Sequence, residues 1–197
     1  MHTGLNSTKE DWLELSYVEE LKKHFKVLLI DPRGHGESDK PLDLKKFTFE
    51  QMAKDVIALL DHLKLEKIHY FGYSLGGIVG WILLKYNPER FISMINGGSS
   101  VISRLFETNP FLRLQSLKEG PIENADFMIV PFNLEEILPN IKIPIMTFVG
   151  DKDPSCYPFV EEYSKLIPNC TTFTIKGLNH PETIMAKEKV LQELWIF

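Results

Sequence analysis

Hydrophobic and polar positions along the chain follow two periods in turn, one typical of helices and one of strands. Residues 9–24 and 48–63 carry apolar side chains at helical spacing, and the second segment follows Thr48, a residue that caps helices well. Short continuous apolar runs predict buried strands. The predicted strands are 26–31, 67–72, 90–97, 143–150 and 170–177, and the remaining predicted helices are 75–86, 159–167 and 181–197. This alternation predicts an α/β fold with a mostly parallel sheet flanked by helices.

The alternation stops between residues 98 and 139, where several prolines interrupt short helical patches and no clear strand is present. We interpret this segment as an insertion between the strands 90–97 and 143–150. The whole chain has 197 residues, which is enough for one domain with a hydrophobic core and too few for two ordinary ones. We therefore expect a single domain over 1–197 that carries the insertion.

Composition narrows the classes of partner. Hydrophobic residues make up 44% of the chain, the net charge is −5, and no basic tract is present. Nucleic acid and anionic membrane surfaces are therefore not expected partners, whereas a small-molecule substrate is. Apolar runs are too short to cross a membrane, and residues 1–12 lack the pattern of a signal peptide. With only two cysteines, Cys156 and Cys170, we expect a soluble cytoplasmic protein with free thiols, although one disulfide remains open. The oligomeric state is not indicated.

The stretch "GYSLGG" (72–77) places a serine between glycines where a predicted strand meets a predicted helix. Gly-x-Ser-x-Gly in that context is typical of a nucleophile elbow, a sharp turn that lifts a serine hydroxyl clear of the sheet. Ser74 is then the candidate nucleophile. The Leu75 amide, at the positive end of the helix, is a candidate donor to an oxyanion. The alternative is a glycine-rich turn with an incidental serine, and the flanking strand and helix favour the elbow.

A serine nucleophile needs a base, and the base needs an orienting acid. In an elbow hydrolase these follow the serine in the order acid, then histidine. Of six histidines, only His180 lies downstream of Ser74, in the loop before the last helix, although a surface histidine is the alternative. The loop "GDKD" (150–153) offers Asp153 and Asp151. We favour Asp153, because Asp151 directly follows the strand and is better placed to cap the turn.

At this point the sequence resembles the α/β-hydrolase family, through "GYSLGG", "DPRGHGESDKP", "GDKD" and "GLNHPE", in the order that the family shows over nearly the whole chain. The resemblance supports Asp153 as the acid of the triad. It also implies that residues 98–139 form a short helical lid. In the family the second of these motifs shapes the edge of the pocket, so the resemblance implies structural or pocket-lining roles for Asp31, Arg33 and His35.

The resemblance also concerns the first residues. In "HTGLNSTKEDW" Gly4 aligns with the glycine of the family's His-Gly-x loop, Thr3 stands where the family has histidine, and Leu5 would supply the second oxyanion donor. That loop follows the third strand of the family's sheet. The chain is therefore expected to lack the N-terminal strands, including one from the centre of the sheet. Either this is an N-terminally truncated form, which leaves a gap at the centre of the sheet, or segment 26–31 moves over to pair with 67–72.

These residues predict a serine hydrolase that cleaves a small, partly apolar carboxylic ester or thioester through an acyl-enzyme, without metal or other cofactor. The alternatives are a C–C hydrolase or lyase of the same fold, and a catalytically impaired ligand-binding or truncated form. The apolar residues of the lid suggest an apolar pocket, although they could equally belong to the core. They are Val101, Ile102, Leu105, Phe106, Phe111, Leu112, Phe127, Met128 and Ile129.

Overall fold

The computed structural model of the chain describes residues 1–43, 46–101 and 133–197. Its centre is a four-stranded sheet in which each neighbouring pair is parallel, in the order β1-β2-β3-β4. The strands are β1 (Ile68–Tyr73), β2 (Phe91–Gly97), β3 (Ile145–Gly150) and β4 (Cys170–Ile175). Each strand bound lies within one or two residues of its predicted place, and the α/β class with a parallel sheet is confirmed.

Helices cover both faces of this sheet. They are α1 (Lys9–Glu14), α2 (Tyr17–Leu21), α3 (Phe49–His62), α4 (Leu75–Tyr86), α5 (Tyr157–Tyr163), α6 (His180–Met185) and α7 (Lys187–Leu194). Apolar residues of α3, α4 and α5 share one buried cluster, and those of α1, α2 and α7 share another. Successive strand residues join opposite clusters: Tyr70 and Met94 the first, Phe71 and Ile95 the second. This alternation gives three layers, helix on sheet on helix.

The expectation of one helix over 9–24 is wrong, because the chain turns at Ser16, whose φ is 60°. This break between α1 and α2 allows aromatic residues of both helices to pack on the same strand residue. Trp12 and Tyr17 are five positions apart, which on one continuous helix would separate their directions by about 140°. With the turn between them, both rings pack on Phe71, at centroid distances of 4.9 and 5.7 Å.

The expected strand 26–31 is reduced to a single bridge at Ile30, and its neighbour is the start of the chain. His2 bridges Ile30 on one side and Gly72 on the other, both in parallel orientation. His2 N–H donates to Phe71 O at 2.9 Å, and Ile30 N–H donates to Met1 O at 3.1 Å. Residues Met1–Thr3 thus lie between segment 26–31 and β1. The alternative in which segment 26–31 pairs directly with that strand is wrong.

The last predicted helix, 181–197, is also divided. Helix α6 ends before Ala186, whose ψ of 47° is not helical, and α7 begins one residue later. One carbonyl freed near the break is taken by Tyr17, whose hydroxyl donates to Ile184 O at 2.8 Å. The change of direction lets Val190, Leu191 and Leu194 pack in the same cluster as α1 and α2.

Most of the predicted lid, residues 102–132, lies outside the described residues, and so do all of its apolar side chains named above except Val101. Val101 is buried, and its carbonyl accepts a hydrogen bond from Leu134 N–H at 3.0 Å, which joins the two ends of the insertion. Cys156 and Cys170 are both free thiols. Among the helices of the described ranges, none combines the length and apolar character needed to cross a membrane.

Candidate active site

Ser74 occupies the sharp turn between β1 and α4. Its φ of 54° and ψ of −116° are strained for a residue with a side chain. The turn is held from the neighbouring strand, because Ser74 N–H donates to Gly97 O at 2.9 Å. It also requires a close approach, since a Cβ built on Gly72 would lie 2.4 Å from Gly76 O. Glycine at Gly72 is therefore a steric requirement of the turn.

His180 is the first residue of α6, where its ring is directed by a well-capped helix start. Asn179 Oδ1 accepts from Glu182 N–H at 3.1 Å, and Glu182 Oε2 accepts from Asn179 N–H at 3.0 Å, which completes a capping box. The Tyr73 hydroxyl donates to His180 O. With the backbone held in this way, His180 Nε2 lies 2.9 Å from Ser74 Oγ.

Asp153 lies on the other side of the imidazole. Its Oδ2 is 2.5 Å from His180 Nδ1, and its Oδ1 accepts from the amides of Ser155 and Cys156 at 3.0 and 3.1 Å. Burial raises the pKa of Asp153, but the hydrogen bond and charge of His180 and the bonds from Ser155 outweigh it, so the pKa lies below its ordinary value. The acid is therefore ionised at neutral pH.

Asp151, the other acid left open by the sequence, points elsewhere. Asp151 directly follows β3, and its side chain is exposed. Its Oδ1 accepts from Gly177 N–H, in the turn after β4, at 2.6 Å. The structure therefore brings Ser74, His180 and Asp153 into one hydrogen-bonded row and leaves Asp151 out of it.

The two candidate oxyanion donors flank the serine. The Leu75 amide begins α4, and the loop carrying Leu5 is tied to the same helix because Gly76 N–H donates to Thr3 O at 2.9 Å. Gly4 lies against Ser74: a Cβ built there would be 3.8 Å from Ser74 Oγ. Within the described ranges, neither Leu5 nor Leu75 donates its amide proton to a protein acceptor. Among the described residues, both amides thus lack a protein acceptor, as an anion-binding site beside Ser74 would require.

Two of the residues interpreted as structural make ion pairs. Arg33 forms a paired contact with the Asp55 carboxylate, with Nε 2.6 Å from Oδ2. Asp31 accepts from Lys9 N–H at 2.7 Å and pairs with Lys9 Nζ at 3.0 Å. These contacts brace the loop after segment 26–31 against α3 and the start of α1.

The third of them, His35, contacts the loop that carries Leu5, and sequence reasoning missed this role. Its ring accepts a hydrogen bond from Asn6 N–H. The one signal for this role in the sequence is the histidine of "RGHG". The partner of that histidine, Asn6, lies 29 residues away, so local spacing could not predict the pair.

The described residues contain one group of three side chains that could hold a metal ion, Asp153, Cys156 and His180, with ligand atoms within 4.8 Å of one another. Burial raises the pKa of the Cys156 thiol well above its ordinary value, and the Asp153 charge adds to this effect. A metal ion would have to displace the proton of this thiol and break the bond between the other two side chains. The group is therefore better explained as the buried side of the row formed by Asp153, His180 and Ser74.

Comparison with known proteins assigns the family. The sequence model of a family described as "alpha/beta hydrolase fold" matches residues 1–118, which is more than half of the chain. The chain belongs to the α/β-hydrolase fold family. An esterase from Thermogutta terrifontis superposes with a TM-score of 0.80 over 99% of this chain and 87% of its own, at 23% identity, which is a likeness of fold.

Most of these curated relatives are named as hydrolases of several kinds, and one is named a synthase. 3-Oxoadipate enol-lactonase 1 of Acinetobacter baylyi is 26% identical over 213 residues, which cover 89% of this chain and 79% of that enzyme. Bifunctional epoxide hydrolase 2 of Sus scrofa is 27% identical over half of this chain and 17% of its own length. Several further relatives are likewise matched over a third or less of their length. Together, these relatives support hydrolase activity.

Proposed function

We propose that the chain is a serine hydrolase that cleaves a small, partly apolar carboxylic ester or thioester through an acyl-enzyme. The observation that carries the proposal is the row Asp153–His180–Ser74, with 2.5 Å between Asp153 Oδ2 and His180 Nδ1 and 2.9 Å between His180 Nε2 and Ser74 Oγ. A neutral imidazole with its Nδ1–H donated to a carboxylate presents Nε2 as a base to the serine hydroxyl.

The reaction has two halves. Ser74 Oγ attacks the substrate carbonyl while His180 takes its proton, and the amides of Leu75 and Leu5 bind the resulting oxyanion. The leaving alcohol or thiol departs with the proton from His180, and the acyl group stays on Ser74. A water then attacks the acyl carbonyl, again giving its proton to His180, and the carboxylic acid is released as Ser74 is restored.

The serine favours esters over epoxides, although some relatives are named epoxide hydrolases. Attack of a serine alkoxide on an epoxide would open the ring and form an ether. An ether has no carbonyl for water to attack, so the enzyme would be left alkylated after one turnover. Attack on an ester gives an acyl-enzyme, which the same base and water can hydrolyse.

The test is turnover of p-nitrophenyl acetate and p-nitrophenyl butyrate by the chain beside a Ser74→Ala variant. We expect p-nitrophenol release by the wild type at a rate at least about 10³-fold above the alanine variant. A fluorophosphonate probe should label Ser74 in the wild type and nothing in the variant. Equal rates in both chains would point to the catalytically impaired form, and labelling of another residue would overturn the assignment of Ser74.

A lactone, which is a cyclic ester, is a second candidate substrate. It is favoured by the relative that aligns over 89% of this chain, which is named an enol-lactonase. Proton release from a simple γ- or δ-lactone, followed with a pH indicator beside Ser74→Ala, separates the two candidates. A ratio of kcat/KM in favour of the lactone over p-nitrophenyl butyrate would select it.

A further inference from the structure

We propose that His35 is a positioning residue, which fixes the oxyanion donor Leu5 by accepting a hydrogen bond from the next amide, Asn6 N–H. The inference rests on the proposed function, because a donor matters only if an oxyanion forms. We call residues Gly4–Ser7 the donor loop.

The contact is a hydrogen bond to a ring nitrogen in a buried place. Asn6 N lies 3.2 Å from His35 Nε2, and His35 is only 5% exposed. An amide can only donate, so Nε2 is the acceptor and carries no proton. The other ring nitrogen, Nδ1, lies 3.2 Å from Arg33 O, a carbonyl that can only accept. The two partners therefore determine one tautomer, with the proton on Nδ1.

The donor loop needs such a support. Asn6 has a φ of 60°, so the loop turns here in a left-handed conformation, which asparagine tolerates better than most residues other than glycine. The bonds within the loop and from the residue before it are long: Ser7 N–H to Gly4 O and Thr3 Oγ1 to Ser7 O are each 3.4 Å. These internal bonds alone would hold the loop weakly.

Two contacts from outside fix Leu5 between them. On the side of the nucleophile, Thr3 O accepts from Gly76 N–H at 2.9 Å. On the far side, His35 accepts from Asn6 N–H. Leu5 lies between these two anchors, so releasing His35 would free the residue that follows the donor. A donor amide displaced by even about 1 Å loses much of its effect on a transition state.

The loop that carries His35 is itself well anchored. Asp31 accepts from the amides of Lys9 and Glu37 at 2.7 and 3.1 Å, and Ser38 Oγ donates to Asp31 O at 2.8 Å. His35 N–H donates to Pro32 O at 2.9 Å. His35 thus stands on a rigid support. Burial lowers the pKa of its ring, which keeps Nε2 an acceptor at neutral pH.

The kinetic test compares three variants on p-nitrophenyl butyrate. His35→Leu removes the acceptor, and we expect kcat to fall about 10- to 100-fold with KM changed less than about threefold, because the donor acts on the transition state. His35→Gln offers an amide oxygen to Asn6 and an amide N–H to Arg33, so it should recover most of kcat. The exposed His62, changed to Leu, is the matched control and should behave as the wild type.

A ring measurement on the wild-type chain tests the contact without turnover. Nitrogen-15 NMR should show the His35 proton on Nδ1 and a bare Nε2, and the Asn6 amide should exchange slowly with solvent. A proton on Nε2, or fast exchange at Asn6, overturns the inference. A His35→Leu variant that folds and keeps the wild-type kcat also overturns it. If His35→Leu is slow, a His35→Gln variant that is equally slow overturns it as well. Wild-type turnover no faster than that of Ser74→Ala would overturn the proposed function, whereas the ring measurement would still decide the contact.

Discussion

Gly76, two residues after Ser74, lies against the backbone of His2. A Cβ built on Gly76 would stand 2.2 Å from His2 O and 2.7 Å from His2 Nδ1. The same glycine donates its amide to Thr3 O, so the first turn of α4 and residues Met1–Thr3 form one unit. The serine turn and the donor loop are therefore built against each other.

Gly76→Ala should damage both stability and activity. The collision is with backbone, which cannot rotate away, so the first residues must shift and carry the donor loop with them. We expect the free energy of unfolding to fall by about 1–3 kcal/mol and kcat on p-nitrophenyl butyrate to fall at least about tenfold. Urea unfolding and steady-state kinetics measure the two effects, and an alanine variant equal to the wild type in both would contradict this packing.

The two neighbouring acids should differ sharply when each is changed to asparagine. Asp153→Asn removes the charge beside His180 Nδ1, and we expect kcat to fall by about 10³- to 10⁴-fold. Asp151→Asn keeps an oxygen for Gly177 N–H and is the matched control, with kcat within about twofold of the wild type. If Asp151→Asn were the slower variant, the assignment of the acid would be wrong.

The chain should lose stability in mild acid through His2. Burial lowers the pKa of His2 to about 3 from the ordinary value of 6.5. Between these values the unfolded chain binds a proton that the folded chain does not, so the free energy of unfolding rises with pH. The contribution of His2 to the free energy of unfolding should therefore fall by about 1 kcal/mol for each pH unit of acidification below 6.5.

Urea unfolding at about pH 7.5 and about pH 5 measures this loss, with His2→Asn as the control. Asparagine does not titrate, so the variant should lose less free energy between the two conditions, whatever its stability at the higher pH. A wild-type chain that is equally stable at both pH values would show that the His2 ring is solvated.

The two thiols should report on unfolding. Burial raises the pKa of Cys156 and of Cys170, and Cys156 is only 4% exposed, whereas Cys170 is half-buried. Because the thiolate is the reactive form, a disulfide reagent at neutral pH should modify Cys170 slowly and Cys156 only as fast as the chain opens. In a Cys170→Ser variant, fast modification of Cys156 without denaturant would contradict the buried site.

Local sequence patterns were enough to predict much of the fold and to select the candidate residues. The strand and helix around Ser74 lie where their periodicity places them, and Thr48 caps α3 by accepting from Gln51 N–H at 3.2 Å. The chain order of serine, acid and histidine also selected His180. Such features depend on residues close in sequence, whose spacing and backbone preferences can be seen directly.

The tertiary structure decided the rest. Three features join residues distant in sequence. They are the bond from Asp153, rather than Asp151, to His180, the insertion of His2 between Ile30 and Gly72, and the bond from Asn6 to His35. Periodicity carries no information about such pairs. They depend on how the elements pack, and the same packing turns the chain at Ser16 so that two aromatic rings reach one strand.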